Sequence, residues 1–143
     1  MVVNDVTMSA WIELHRANRV LLDAVEKALK QKQLPPLDWY DVLLELSRDS
    51  HNGLRQYEIG AKVLLNKHNL SRLLDRLEAK DLLSRQACEE DGRGNRVKIT
   101  HKGEQTIQAM WPVYSGVMQS LFGDKLGYEE LQQLAQMLRK IRA

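Results

Sequence analysis

The sequence predicts a mainly α protein with one small β-hairpin, in which a helix-turn-helix and its hairpin are flanked by long terminal helices. Three observations carry this. Leu70, Leu73, Leu74 and Leu77 recur at i, i+3, i+4 and i+7 within 66–80, which is a helix with one buried stripe. Immediately after it, 82–87 and 96–100 read as short strands around the charged glycine turn 89–95, with Gly92-Arg93-Gly94 at its tip. Long amphipathic patterns occupy both ends of the chain.

Each element follows from local signals. Residues 7–31 carry Met8, Trp11, Ile12, Ala17, Val20, Leu21, Ala24, Val25, Ala28 and Leu29 at helical spacing, and Thr7 or Ser9 is the expected opening cap. Pro35-Pro36 breaks that helix and starts a second, to about Arg48, with Trp39, Val42, Leu43 and Leu46 inward. Ser50-His51-Asn52-Gly53 is a turn, and a short helix follows at about 55–64. The compact junction Leu65-Asn66 fits a helix-turn-helix, with Asn66 as the N-cap of 66–80. Thr100 caps a helix to about 122, which Pro112 must kink or split. Gly123 and Gly127 bracket a loop before a last helix at 128–141, with Leu131, Leu134, Met137, Leu138 and Ile141 on one side.

At 143 residues, 43% hydrophobic and 28% charged, the chain reads as one globular domain with a real core. No apolar run approaches the ~20 residues of a membrane span, and no basic-then-apolar leader opens it, so no membrane partner is expected. A single cysteine, Cys88, rules out an internal disulfide and makes a cytoplasmic location the default. His15, His51, His68 and His101 lack metal-ligand spacing. No phosphate-cradling glycine loop or nucleophile–base pair can be assembled, so neither metal, cofactor nor enzymatic activity is expected.

A binding surface is more legible. Opposite the leucines, the helix at 66–80 carries His68, Ser71, Arg72, Asp75 and Arg76, and its first turn adds Lys67 and Asn69. Such a face is ordinarily only solvated charge. The attached hairpin favours a different use, since a helix can enter a DNA major groove while a hairpin tip reaches the minor groove. The whole chain is only +2, yet 55–102 holds 11 Lys or Arg against 7 Asp or Glu, a local +4, and the remainder is −2. The terminal helices have more apolar surface than a compact core of this size can cover. A two-fold dimer buries it and sets two recognition helices one DNA turn, ~34 Å, apart. An intramolecular bundle of the same helices is the alternative.

With these residues in view, the chain resembles the MarR family of winged helix-turn-helix regulators over nearly all its length. The matching stretch runs from Ser71-Arg72-Leu73-Leu74-Asp75-Arg76-Leu77-Glu78 through Leu82-Leu83-Ser84-Arg85 to Asp91-Gly92-Arg93, closing with Val97-Lys98-Ile99-Thr100-His101-Lys102-Gly103. The resemblance implies a triangular homodimer of three parts: an N-terminal dimerisation helix at 1–35, a winged helix-turn-helix at 36–100, and C-terminal dimerisation helices at 101–143. It implies double-stranded DNA, a pseudo-palindromic operator, as the partner and repression as the mode. The DNA contacts expected are Gln56, Lys67, His68, Asn69, Ser71, Arg72, Arg76, Arg93 and Arg96. Arg93 is then the wing arginine, and Asp91 orients the wing by pairing with Arg76 or Arg93. A winged helix that docks an acidic protein, without DNA specificity, is the rival reading.

Asp81 stands where the family ends its recognition helix in glycine, and aspartate tolerates the left-handed cap better than most residues. Ile99 replaces a common leucine, and Gly60 replaces an alanine inside the short helix. Members of the family commonly release DNA when a small aromatic or anionic ligand binds. Trp11, His15, Trp39, Tyr40 and Arg85 are the residues here with the chemistry to line such a site, aromatics for stacking and arginine for a carboxylate. Cys88 lies beside Glu89, Glu90 and Asp91, whose charge disfavours a thiolate and with it a redox role, with Arg85 as a partial offset.

Overall fold

The structure, a computed structural model, describes residues 1–49, 52–63, 67–87 and 95–143. Helix α1 (Asp5–Gln31) starts earlier than Thr7 or Ser9. The Thr7 N–H is itself an orphan donor of the first turn, and it donates to Asn4 Oδ1 at 2.7 Å. Asparagine is among the best N-caps, so the helix opens there. Helix α2 (Leu37–Arg48) follows Pro36, whose extended conformation turns the chain into it. Of the expected turn at 50–53, residues 50 and 51 lie outside the described residues. Asp49 Oδ2 accepts the Gly53 N–H at 2.9 Å, and Gly53 takes φ +87. A Cβ there would lie 2.8 Å from the Val97 carbonyl oxygen, so only glycine fits.

Next come β1 (Leu54–Arg55), α3 (Gln56–Lys62), α4 (Lys67–Ala79), β2 (Leu83–Ala87) and β3 (Asn95–Ile99). The hairpin expected from the sequence is in fact part of a three-stranded antiparallel sheet, ordered β1-β3-β2. Leu54 pairs with Val97 and Arg55 with Arg96, while Leu83 to Ala87 pair with Ile99 to Asn95. Leu54, Leu83 and Val97 are buried together. Helix α4 buries Leu70, Leu73, Leu74 and Leu77, each at 2% exposure or less.

The exit from α4 is a Schellman turn. Leu82 N–H donates to the Leu77 carbonyl and Asp81 N–H to that of Glu78, both at 2.9 Å. Asp81 takes φ +61, the left-handed conformation expected of it. Its carbonyl accepts Thr100 Oγ1 at 2.6 Å, and that hydroxyl in turn accepts the Gly103 N–H at 3.0 Å. Thr100 thus caps α5 (His101–Leu121) and ties its start to the end of α4. Helix α5 runs unsplit through Pro112. Gln108, whose carbonyl would have bonded a residue-112 N–H, is exposed, as is Pro112 itself. A 3-10 turn (Gly123–Lys125) leads to α6 (Tyr128–Arg142), where Glu130 Oε1 accepts the Gly127 N–H at 2.8 Å.

The chain divides into two compact units, Gln33–Trp111 and Met1–Lys32 with Pro112–Ala143. Within α5 the division falls at Pro112. Gly103, Ile107 and Met110 on the first half of α5 are buried, and these residues belong to the winged unit. In the other unit, residues 1–20 are exposed throughout, and Val25 and Leu29 are buried. No described helix is long and apolar enough to cross a membrane.

Two glycines behave oppositely under substitution. A Cβ on Gly103 would collide with the Leu82 carbonyl and the Ile99 side chain, so Gly103→Ala should destabilise by about 1–3 kcal/mol. A Cβ on Gly60, inside α3, would make ordinary contact with Leu70 Cδ2 at 3.5 Å. Gly60→Ala should therefore stabilise by about 0.5–1 kcal/mol, because alanine loses less entropy in a helix. Urea titration of both variants reads the two signs.

Candidate nucleic-acid interface

The winged unit presents one helical face to solvent, and the leucine stripe of α4 decides which. With Leu70, Leu73, Leu74 and Leu77 inward, residues His68, Asn69, Arg72, Asp75 and Arg76 are exposed and Ser71 is half-buried. His68, Arg72, Arg76 and Lys80 follow at intervals of four, a basic row that winds slowly around the helix and past its end. Arg72 Nη2 lies 3.2 Å from His68 Nε2. Lys67 is the first residue of α4. Asn66, expected as a cap, Asp91 and Arg93, expected in the wing, and Cys88, where the sequence disfavours a redox role, lie outside the described residues.

Asp75 and Glu78 interrupt the row with negative charge, and Arg85 on β2 answers both. Arg85 Nη2 is 2.8 Å from Asp75 Oδ1, and its Nε is 4.0 Å from Glu78 Oε1. An arginine read from the sequence as a partner for a ligand carboxylate is here paired with the protein's own. Arg96, half-buried on β3, donates from Nη1 to the Gly53 carbonyl at 3.2 Å, which braces the β1–β3 edge. Gln56 is half-buried in the first turn of α3. Next to it Tyr57 is 73% exposed, a residue the sequence reading passed over. The signal was available: Ile59 is the apolar residue that α3 buries, and Tyr57 falls off that side with polar neighbours.

The five ligand candidates do not form one cluster within either unit. Trp11 meets His15 edge-on, with ring centroids 4.6 Å apart, and Trp11 also lines an apolar groove with Val3, Thr7, Met8 and Ile12. Tyr40 is buried and lies nearly parallel to Trp111 at 6.2 Å. Burial pushes its phenol above the ordinary value, with Arg48 opposing and Asp41 adding to the shift. Trp39 instead lines an open cleft of about 410 Å³ with Pro35, Lys80, Leu82, Lys102 and Thr106. That cleft brings an indole together with two lysines, and Arg85 is not among its lining residues.

Residues 32–94 match the model of the MarR family. Over nearly its whole length the chain is similar to AbsC, a MarR family transcriptional regulator from Streptomyces coelicolor. Identity is 27%, with 99% of this chain and 95% of that chain covered and a TM-score of 0.89. It is similar to Sco3205, a MarR family transcriptional regulator from the same organism crystallised in complex with DNA, at 21% identity, 99% and 89% coverage and a TM-score of 0.91. It also matches the organohalide-sensing transcriptional regulator RdhR in its 2,4-dichlorophenol-bound form, at 17% identity, 98% and 81% coverage and a TM-score of 0.84. By its matched segment and by a fold shared from end to end, this chain is similar to the MarR family of transcriptional regulators.

Proposed function

We propose that the protein is a homodimeric, sequence-specific DNA-binding repressor whose hold on DNA is loosened by a small aromatic or anionic ligand. The observation that carries the reading is the outward face of α4, where a basic row is exposed because the leucine stripe opposite it is buried. Exposed arginines on a helix can pair with guanine edges in a major groove, and nearby lysines with phosphates. DNA in the crystal of Sco3205 supports the same use of a similar fold. Dimerisation is supported by the apolar surface that one chain leaves open. Val6, Met8, Trp11 and Val20 on α1, and Met137 and Ile141 on α6, are all exposed, and such surface ordinarily marks an interface. Ligand release is supported by the Trp39 cleft with its two lysines and by the dichlorophenol bound to RdhR.

DNA binding is tested by titrating random-sequence duplex at two salt concentrations. Affinity should fall by about a thousandfold or more between roughly 50 and 200 mM salt if six or more phosphates are contacted. A chain that instead ignores duplex and captures an acidic protein is a protein-docking winged helix. Arg72→Ala should cost about 1–3 kcal/mol on the preferred sequence and much less on random DNA. Arg85→Ala uncovers Asp75 and Glu78, so binding to any duplex should weaken, most at low salt where repulsion is least screened. Its effect on folding should stay under about 1 kcal/mol, because the Asp75 partner is 65% exposed. For the dimer, light scattering should give twice the chain mass, and Trp11→Asp should halve it and weaken operator binding at least tenfold. A monomeric wild type overturns the dimer.

A further inference from the structure

His68 and Arg72 stand one turn apart on the exposed side of α4, joined by the 3.2 Å contact between Nη2 and Nε2. A guanidinium has five donors and no acceptor, so the hydrogen bond runs from Arg72 to His68. That direction requires the lone pair of the imidazole on Nε2 and its proton on Nδ1. We propose that His68 is a positioning residue for DNA recognition, holding the Arg72 guanidinium in one orientation on the face of α4 instead of reading bases itself. The inference rests on the DNA-binding function proposed above and divides the labour within it.

The chemistry favours this arrangement on three counts. An unanchored exposed arginine spreads over many rotamers, whereas a bidentate contact to guanine needs its planar fork in one geometry. Donating one N–H to His68 removes much of that freedom and leaves the other donors for the duplex. A neutral acceptor also anchors the guanidinium without cancelling its charge. Asp75, three residues on, is the natural ion partner for Arg72 on a helix surface and would cancel it. That carboxylate is held by Arg85 at 2.8 Å. Finally, the Nε2 lone pair of His68 is engaged, which leaves Nδ1–H as the one polar group of the ring open to a base.

The test uses the full-length protein and the duplex that it enriches from a random-sequence pool, with a shuffled duplex of the same composition as reference. His68→Ala should lose about tenfold on the enriched duplex, within the range of one good bidentate contact, and little on the shuffled one. His68→Gln, which keeps a side-chain acceptor one turn from Arg72, should recover most of that loss. Adding His68→Ala to Arg72→Ala should cost nothing further, since the buttress has then lost what it supports. Losses that multiply in the double variant, or a His68→Ala that binds like wild type, overturn the positioning role and leave DNA binding standing. A wild type that enriches no sequence overturns both. All these positions are exposed, and matching thermal melts exclude folding as the cause.

Discussion

Burial of four leucines on one side of α4 is the constraint on which the rest depends. Leu70, Leu73, Leu74 and Leu77 are almost wholly removed from water, and each contributes on the order of 2 kcal/mol by that removal. Their combined burial outweighs any local preference of the polar side, so α4 cannot rotate about its axis without exposing them. What the opposite side shows to solvent is therefore fixed by packing and not by any attraction among the basic groups. Repulsion among Arg72, Arg76 and Lys80 along the row is tolerated because the opposite side holds the helix in place.

The orientation of α4 would count for little if its ends were loose. Its C-terminal end is closed by Asp81 in a left-handed turn, and that residue's carbonyl is tied to Thr100, the cap of α5. Gly103 lets the first turn of α5 approach the Leu82 carbonyl closely. Because β2 leaves this same junction and β3 enters it, the sheet register and the pitch of α4 are set by one small cluster of backbone bonds. Arg85 adds a side-chain strut from β2 back to Asp75. Its partner carboxylates are the exposed members of the pairs, so its worth is chiefly electrostatic: it answers two charges that would otherwise face a polyanion.

How much of this was legible in the sequence depends on whether the deciding force is local. The stripe of α4, the left-handed Asp81 and the Thr100 cap all follow from residue spacing and single-residue chemistry, and they are found where spacing puts them. Strand β1 was not legible. Two residues make no pattern, and Leu54–Arg55 becomes a strand only because β3 offers a free edge with Val97 and Arg96 in register. The start of α1 was misjudged because Thr7 looks like a cap, whereas its own N–H is what Asn4 caps. Arg85 illustrates a different failure: its partners lie ten and seven residues away on another element, so spacing could assign it a charge but not a recipient.

The division of the chain at Pro112 carries the same logic one level up. A proline inside a helix forfeits a backbone hydrogen bond and would be expected to end it. Here α5 continues, with the proline on an exposed turn, and the compact units change over at that residue. The residues before it, Gly103, Ile107 and Met110, are buried, whereas none after it on α5 is. One helix therefore serves two roles in sequence. Its first half completes the core that orients α4, and its second half adds to a surface whose apolar residues a single chain does not cover.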